Sequence, residues 1–325
     1  MAFYLATRGY RTAIYEAREK IGGILRYGIP QFRLPNTTIE RVETKLLELG
    51  VVIHPNTLVG PVLAVSDLFR DGFDAVFMST GVWKPRKMGL KGESLPHVHY
   101  AIDYLKSPEA YRLGQRVAVI GGGNTAMDAA RTAIRAGSRD VTIVYHRDME
   151  AMSATKHEQE YTRIDGVKFA FHASTVEITD DGILYQDLSP EAPSDELQLL
   201  EADSIIIAVS QGPQANVVST GPEIKLDERG QVITDDAGLT TMDGVYASGD
   251  VVTGPRTVVE AVRASKMTSN AIHNYVQRLR DPEWVDEELW PDDSMDTSFN
   301  AYYPESDLDE LLTDKMRGQR PPVRR

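Results

Sequence analysis

Short apolar runs rich in β-branched residues alternate with amphipathic stretches along most of the chain. Strands are predicted at 11–15, 51–54, 74–78, 117–120 and 141–145, then at 167–172, 175–179, 182–187 and 204–209. A further strand starts at Gly244 and runs toward Gly249-Asp250. Residues 1–9 read as the end of a helix closed by a glycine cap. Residues 36–49 read as an amphipathic helix, with Asn36 or Thr37 as its N-cap and Gly50 at its end. Further helices are predicted at about 153–163 and 257–278. The polar, Pro- and Gly-containing segment 84–92 reads as a loop or linker. Strands alternating with helices predict an α/β protein with parallel sheets.

One segment, 116–147, carries the strongest chemical signal: RVAVIGGGNTAMDAARTAIRAGSRDVTIVYHR. An apolar strand ends in three glycines, a helix follows, and a second strand ends at His146-Arg147. Gly121, Gly123 and Ala126 have the G-x-G-x-x-A spacing of a strand-turn-helix dinucleotide site. The first glycine permits a tight turn and the second lets the backbone approach a pyrophosphate. The small third residue lets helix and strand pack closely. The pyrophosphate would then sit over Asn124 and Thr125, where unpaired amides and the helix dipole favour negative charge. An acidic residue after the second strand would bind a ribose hydroxyl, whereas Arg accommodates a 2′-phosphate. Arg147, with His146 beside it, therefore points to NADPH, and Asp148 keeps NADH open.

The 325 residues carry a formal net charge of −13, which disfavours nonspecific binding to nucleic acid or an anionic membrane. No apolar run reaches membrane-spanning length, and the N-terminus shows no signal-peptide pattern. A cytoplasmic location is the expectation. Cysteine is absent, which removes thiol nucleophiles, disulfides and Cys-ligated iron–sulfur clusters from these residues. The histidines at 54, 97, 99, 157, 172 and 273 have no metal-ligand spacing and read as surface or structural residues. Lys156, Glu158 and Glu160 read as solvated positions on a helix, with an approach of Lys156 to the nicotinamide nucleotide left open.

A second nucleotide-binding unit is legible in part. The helix end at 1–9, the strand at 11–15 and the acidic Glu16 form the latter half of such a unit. The expected first strand and glycine loop would precede residue 1, which would leave Ala2, Leu5 and Ile14 with an exposed apolar groove.

Five motifs together resemble one family: GGILRYGIPQFRLP at 22–35, STGVWKPRKMGLKGE at 79–93, VIGGGNTAMDAAR at 119–131, VYHRDMEAM at 144–152 and GVYASGDVVTGPRTVVEAV at 244–262. The chain resembles, over about residues 1–277, the small (beta) subunit of NADPH-dependent glutamate synthase and its relatives. These include the large subunit of NADH-dependent ferredoxin-NADP oxidoreductase and the flavin/NADPH portion of dihydropyrimidine dehydrogenase. The resemblance implies two Rossmann-like, three-layer domains, with the NADPH domain inserted in the FAD domain: an FAD-binding part at 1–112, an NAD(P)H-binding domain at 113–237, a return to the FAD domain at 238–280, and an acidic arm at 281–325. It implies that Glu16 binds the adenosine ribose of FAD, and that Gly23 and Leu25 contact the flavin or its pyrophosphate. Thr80 and Gly81 would line the cleft at the domain crossing. Gly249-Asp250 would hold the ribityl–pyrophosphate region, and the backbone of Thr257 and Val258 would face the flavin ring. The implied reaction is hydride transfer from NADPH to flavin, followed by single-electron transfer to an iron–sulfur protein or a large catalytic subunit. The cofactor carries that chemistry, so no catalytic side chain is expected.

The family's basic pair after the NADPH strand is His146-Arg147 here rather than Arg-Arg. Its first FAD glycine loop and its iron–sulfur domain do not occur within these residues. Two alternatives therefore stand beside an active flavoprotein. One is an inactive or partial nucleotide-binding module. The other is one chain of a split flavoprotein whose missing segment comes from a partner polypeptide.

Overall fold

In the strand that precedes the three glycines, Val117 and Val119 face one apolar cluster and Ala118 and Ile120 face another. Both faces of the sheet are buried, which is why the strand reads as an unbroken apolar run. The computed structural model describes residues 1–190, 195–214 and 223–287. Most of the predicted acidic arm lies outside the described residues. Met1–Trp284 form one compact unit and Val285–Arg325 a second.

The first part of the chain runs α1 (Ala2–Ala6), β1 (Ala13–Tyr15), α2 (Ile24–Tyr27), α3 (Asn36–Glu48), β2 (Val52–His54), α4 (Val65–Arg70) and β3 (Val76–Met78). β1 and β2 pair in parallel. Ala2 and Ile14 are half-buried against Ile21, Leu46 and Val51, while Leu5 packs against Tyr246, Ile272 and Val276. The groove expected at these residues is thus partly covered by their own neighbours. The cap of α3 differs from expectation. Pro35 is the N-cap, in extended backbone, and Asn36 is already the first helical residue with no side-chain capping bond. The proline's fixed φ supplies the turn into the helix. The other end is as expected: Gly50 takes a φ of 78°, and its amide and that of Val51 donate to Leu47 and Leu46.

The chain then forms β4 (Lys84–Pro85), β5 (Val98–Tyr100), α5 (Ala101–Lys106), β6 (Arg116–Ile120), α6 (Asn124–Arg135), β7 (Asp140–Val144), α7 (Lys156–Ile164) and β8 (Lys168–Ala170). β9 (Ala173–Thr179), β10 (Gly182–Asp187), β11 (Leu197–Glu201), β12 (Ser204–Ile207) and β13 (Gln211–Gly212) follow. Five strands make a wholly parallel sheet in the order β5-β12-β6-β7-β8. This sheet takes in β5, so the unit it forms, the inserted unit of the expected organisation, includes Val98–Tyr100 as well as residues beyond 113. Helical residues, among them Tyr104, Ala126, Met127, Ala130 and Ala133, cover one face of the sheet. The antiparallel meander β9-β10-β11 contributes Ile178 and Ile183 to the other. Helices, parallel sheet and meander make three layers, the expected α/β architecture.

Three strand limits differ from the sequence reading. The strands predicted at 167–172 and 175–179 meet at a corner, because His172 adopts a φ of 54° and closes the first at Ala170. β11 was not anticipated, since most of its residues are exposed and carry no apolar period. The linker at 84–92 contains β4, which pairs antiparallel with β13. A proline is tolerated there because the pair is an isolated two-stranded edge. β4 and β13 are the two places where the chain passes into and out of the inserted unit.

The return segment forms β14 (Val245–Ala247), α8 (Asp250–Thr253) and α9 (Val258–Arg280). β14 pairs in parallel with β3, aligning Ala247 with Met78. Among the described residues no helix is long and apolar enough to cross a membrane.

Candidate functional site

The glycine loop joins β6 to α6. Gly121 has a φ of 146°, and a Cβ built on it would lie 2.4 Å from the backbone oxygen of Ala208 on the neighbouring strand's end. Only glycine fits there. Gly123 differs: its φ is −99°, and the nearest atom to a built Cβ is the Ser153 hydroxyl at 3.4 Å. Its missing side chain is not required by the protein's own packing. Ala126 is fully buried against the sheet, as a small third residue must be. Among the described residues, nothing accepts from the amides of Gly123, Asn124 and Thr125. The Asn124 side-chain oxygen accepts from the Thr155 amide, which ties the loop to the start of α7. The helix start is an open, positively polarised cradle that could hold a pyrophosphate.

His146 and Arg147 follow β7 and are both exposed. The Arg147 carbonyl accepts from the His172 amide, so the backbone is held while the guanidinium stays free to turn toward an anion. The His146 ring lies 4.8 Å from that of Tyr145. Lys156 and Glu160 are exposed, as expected.

Glu16 follows β1 in the separate β1-β2 pair, whereas Thr80, Gly81, Gly249 and Asp250 lie where β3 and β14 end. These strands are parallel and in register, so Thr80-Gly81 and Gly249-Asp250 leave the same end of the pair. Carboxyl ends of parallel strands are where α/β proteins bind ligands. Gly249 has a φ of 74° and is the N-cap of α8. Asp250 is half-buried and accepts from the Arg256 amide at 3.2 Å. Burial above all raises its carboxyl, aided by the nearby Glu260. Thr257 caps α9 in a reciprocal box with Glu260, and Val258 is exposed at the first turn.

Gly23 has a φ of 50° and caps the short α2, which contains the half-buried Leu25. Trp83 joins this loop to the end of β3 and was not assigned a role from sequence. Its indole donates to the Thr80 carbonyl at 3.1 Å, and it stands over Gly23 and Gly81, 3.9 and 3.6 Å from their built Cβ positions. The Arg18 guanidinium lies 4.5 Å from the ring centroids of both Trp83 and Tyr27. The motif STGVWKPRK was the available signal. Glu16 ends β1, accepts from the Arg18 amide at 2.9 Å and remains half-buried.

Glu158 corrects the sequence reading. It is buried rather than solvated, and its two oxygens accept from Arg33 at 2.6 Å and Arg131 at 2.8 Å. Arg33 also reaches Asp128 at 2.6 Å, and Arg131 reaches Asp165 at 2.7 Å. Burial works to raise the Asp165 carboxyl, but bonds from Arg135 and Arg131 outweigh it and hold the group below its ordinary range. Asp128 goes the other way: burial pushes it up to about 6, against the pull of Arg33.

A raised carboxylate pKa means that the folded protein holds the proton more tightly than the unfolded chain. The resulting stabilisation is complete below the ordinary value of 3.8 and is lost as pH rises through about 6. Asp128→Asn removes that slope. Between about pH 4 and about pH 8 the native chain is expected to lose about 2 kcal/mol more stability than the variant. Urea unfolding of both proteins at the two pH values measures this, and parallel losses would contradict it.

The fold is an α/β architecture with parallel sheets and a glycine loop at a strand-to-helix turn. The chain belongs to the pyridine nucleotide-disulphide oxidoreductase family, whose model matches residues 1–265. It is 32% identical over 306 residues to the glutamate synthase [NADPH] small chain of Azospirillum brasilense, covering 84% of this chain and 63% of that one. It is also 32% identical over 330 residues to the NADP(+)-dependent formate dehydrogenase subunit beta of Moorella thermoacetica, covering 94% of this chain and 46% of the relative. The chain thus spans between about half and two thirds of the length of these curated relatives. Among solved structures, Mycobacterium tuberculosis FprA in complex with NADPH superposes with a TM-score of 0.71 at 18% identity, covering 94% of this chain and 88% of the other. Thioredoxin reductase of T. acidophilum gives 0.65 at 22% identity, covering 86% and 94%. These likenesses establish the fold.

Proposed function

We propose that this chain is the nucleotide-handling part of an FAD-dependent NAD(P)H oxidoreductase of the glutamate synthase small-subunit kind. The observation that carries the reading is the start of α6. Three amides there have no acceptor among the described residues, and the glycine among them has room that packing does not use. Gly121 shapes the turn, and the amides from Gly123 to Thr125 bind the pyrophosphate of NADPH. Arg147 pairs with its 2′-phosphate, and His146 flanks that site. Glu16, Gly23, Leu25, Thr80, Gly81, Gly249, Asp250, Thr257 and Val258 hold FAD, and Trp83 covers the loop between Gly23 and Gly81. When bound, the flavin accepts two electrons from NADPH and releases them singly. The protein's task is to orient the rings and exclude water, so no side chain is assigned as acid or base. These 325 residues contain no cysteine, so the electrons leave to a partner rather than to a thiol pair in this chain. The partner is an iron–sulfur protein or a large catalytic subunit, in keeping with relatives named as small or beta subunits.

Cofactor choice tests the nucleotide assignment. A charge-assisted hydrogen bond contributes roughly 1.5–3 kcal/mol, so Arg147→Ala is expected to weaken NADPH by about tenfold or more and leave NADH nearly unchanged. Titrating each nucleotide against both proteins measures this. Equal losses for the two nucleotides would rule out the 2′-phosphate contact.

A further inference from the structure

The second half of the 22–35 motif, IPQFRLP, carries none of the predicted cofactor residues, yet it reaches across to the inserted unit. Arg33 lies on a turn closed by bonds from its own amide and that of Leu34 to the Pro30 carbonyl. Its guanidinium forks onto two carboxylates of the inserted unit, Asp128 on α6 and Glu158 on α7. Beside it, Phe32 lies under two more groups of that unit, with the guanidinium of Arg135 4.0 Å and that of Arg131 4.9 Å from its ring centroid.

The charge arrangement is directional. Arg131 and Arg135 already neutralise Asp165, and Arg131 also serves Glu158. The one ion pair that Asp128 makes among the described residues is to Arg33. Its other oxygen is buried without a partner. A buried carboxylate left unpaired is strongly unfavourable. The inserted unit therefore presents a carboxylate that a cation from the first part neutralises. Asp128 stands four residues beyond Asn124, about 6 Å along the helix axis from the open amides. Arg33 stands ten residues beyond Gly23 on the loop expected to meet the flavin. The strands β4 and β13 form a connection elsewhere between the same two parts.

We propose that Arg33 is a positioning residue, a clasp that fixes the inserted unit against the first part and so sets the spacing between the two nucleotide sites. The functional consequence rests on the NADPH–flavin reading above, whereas the clasp itself does not. Arg33 binds no cofactor; it acts through Asp128 and Glu158, and Phe32 steadies it.

The absence of native cysteine makes a direct test simple. Lys45→Cys on α3 and Lys168→Cys on β8 replace exposed residues in the two parts, and spin labels on them report the distance between the parts by pulsed electron resonance. The parent chain is expected to give one narrow distance. Arg33→Gln is expected to broaden or shift it. Arg33→Lys keeps the charge but lacks the planar, preorganised guanidinium fork, so it is expected to fall between the two. It also carries the test if Arg33→Gln does not fold. NADPH affinity should change by less than about threefold, because the loop at 121–126 is untouched, while flavin reduction by NADPH should slow by about tenfold or more. An unchanged narrow distance in the folded variant overturns the clasp. A broadened distance with an unchanged rate of flavin reduction overturns its positioning role. A parent chain that binds no NADPH, with the distance still broadened by Arg33→Gln, retains the clasp and removes the NADPH–flavin reading instead.

Discussion

Gly123→Val is expected to leave the protein folded and to abolish NADPH binding. The backbone at Gly123 is ordinary extended chain, so a β-branched residue is not strained there. The nearest atom to its Cβ is the Ser153 hydroxyl at 3.4 Å, an ordinary contact. The new methyl groups would instead occupy the space in front of the amides of Asn124 and Thr125. The expected loss is about 100-fold or more in affinity, equivalent to one or two charge-assisted hydrogen bonds. Titration of NADPH against a variant with native unfolding behaviour is the measurement. Retained affinity would mean that the 121–126 loop serves only the fold.

Gly121→Ala, two residues away, is expected to do the reverse. A φ of 146° is a conformation L-residues rarely adopt, and the new Cβ would lie 2.4 Å from the Ala208 backbone oxygen. Neither the strand ends nor the turn can yield without breaking β6 from β12, whose register runs from Ser204 and Val117 to Ile207 and Ile120. Backbone strain and overlap together should cost about 2–4 kcal/mol. A clear fall in the urea midpoint is expected. Unchanged stability would show that the turn is softer than its geometry implies. Together the two variants separate a glycine required by the protein from one left open for a ligand.

The inserted unit was legible because its signals are local. Val117–Ile120 is buried on both faces, and the glycine spacing sits directly after it. The start of the last helix near residue 257 was legible for the same reason, and the structure adds that Thr257 caps it in a self-contained box with Glu260. Long-range pairings were not. The burial of Glu158 depends on Arg33, 125 residues away, and the segment around it reads as a polar helix face. Trp83 lies inside the 79–93 motif, but only the fold brings its ring over Gly23. β4 and β13 have two residues each, too few for any periodicity to register. The residues proposed to hold the flavin fall between these extremes. Gly249 and Asp250 follow a recognisable strand, whereas their placement beside Thr80 and Gly81 comes from the pairing of β14 with β3, 169 residues apart at Val245 and Val76.

The central claim is that NADPH bound at the start of α6 reduces a flavin held by the rest of the unit. Anaerobic titration of the full chain, with FAD in excess and flavin absorbance as the readout, tests it most directly. The account predicts that NADPH bleaches the oxidised flavin band, that NADH does so less readily, and that Gly123→Val abolishes the effect. A flavin spectrum that stays oxidised while NADPH is bound to the chain would contradict it.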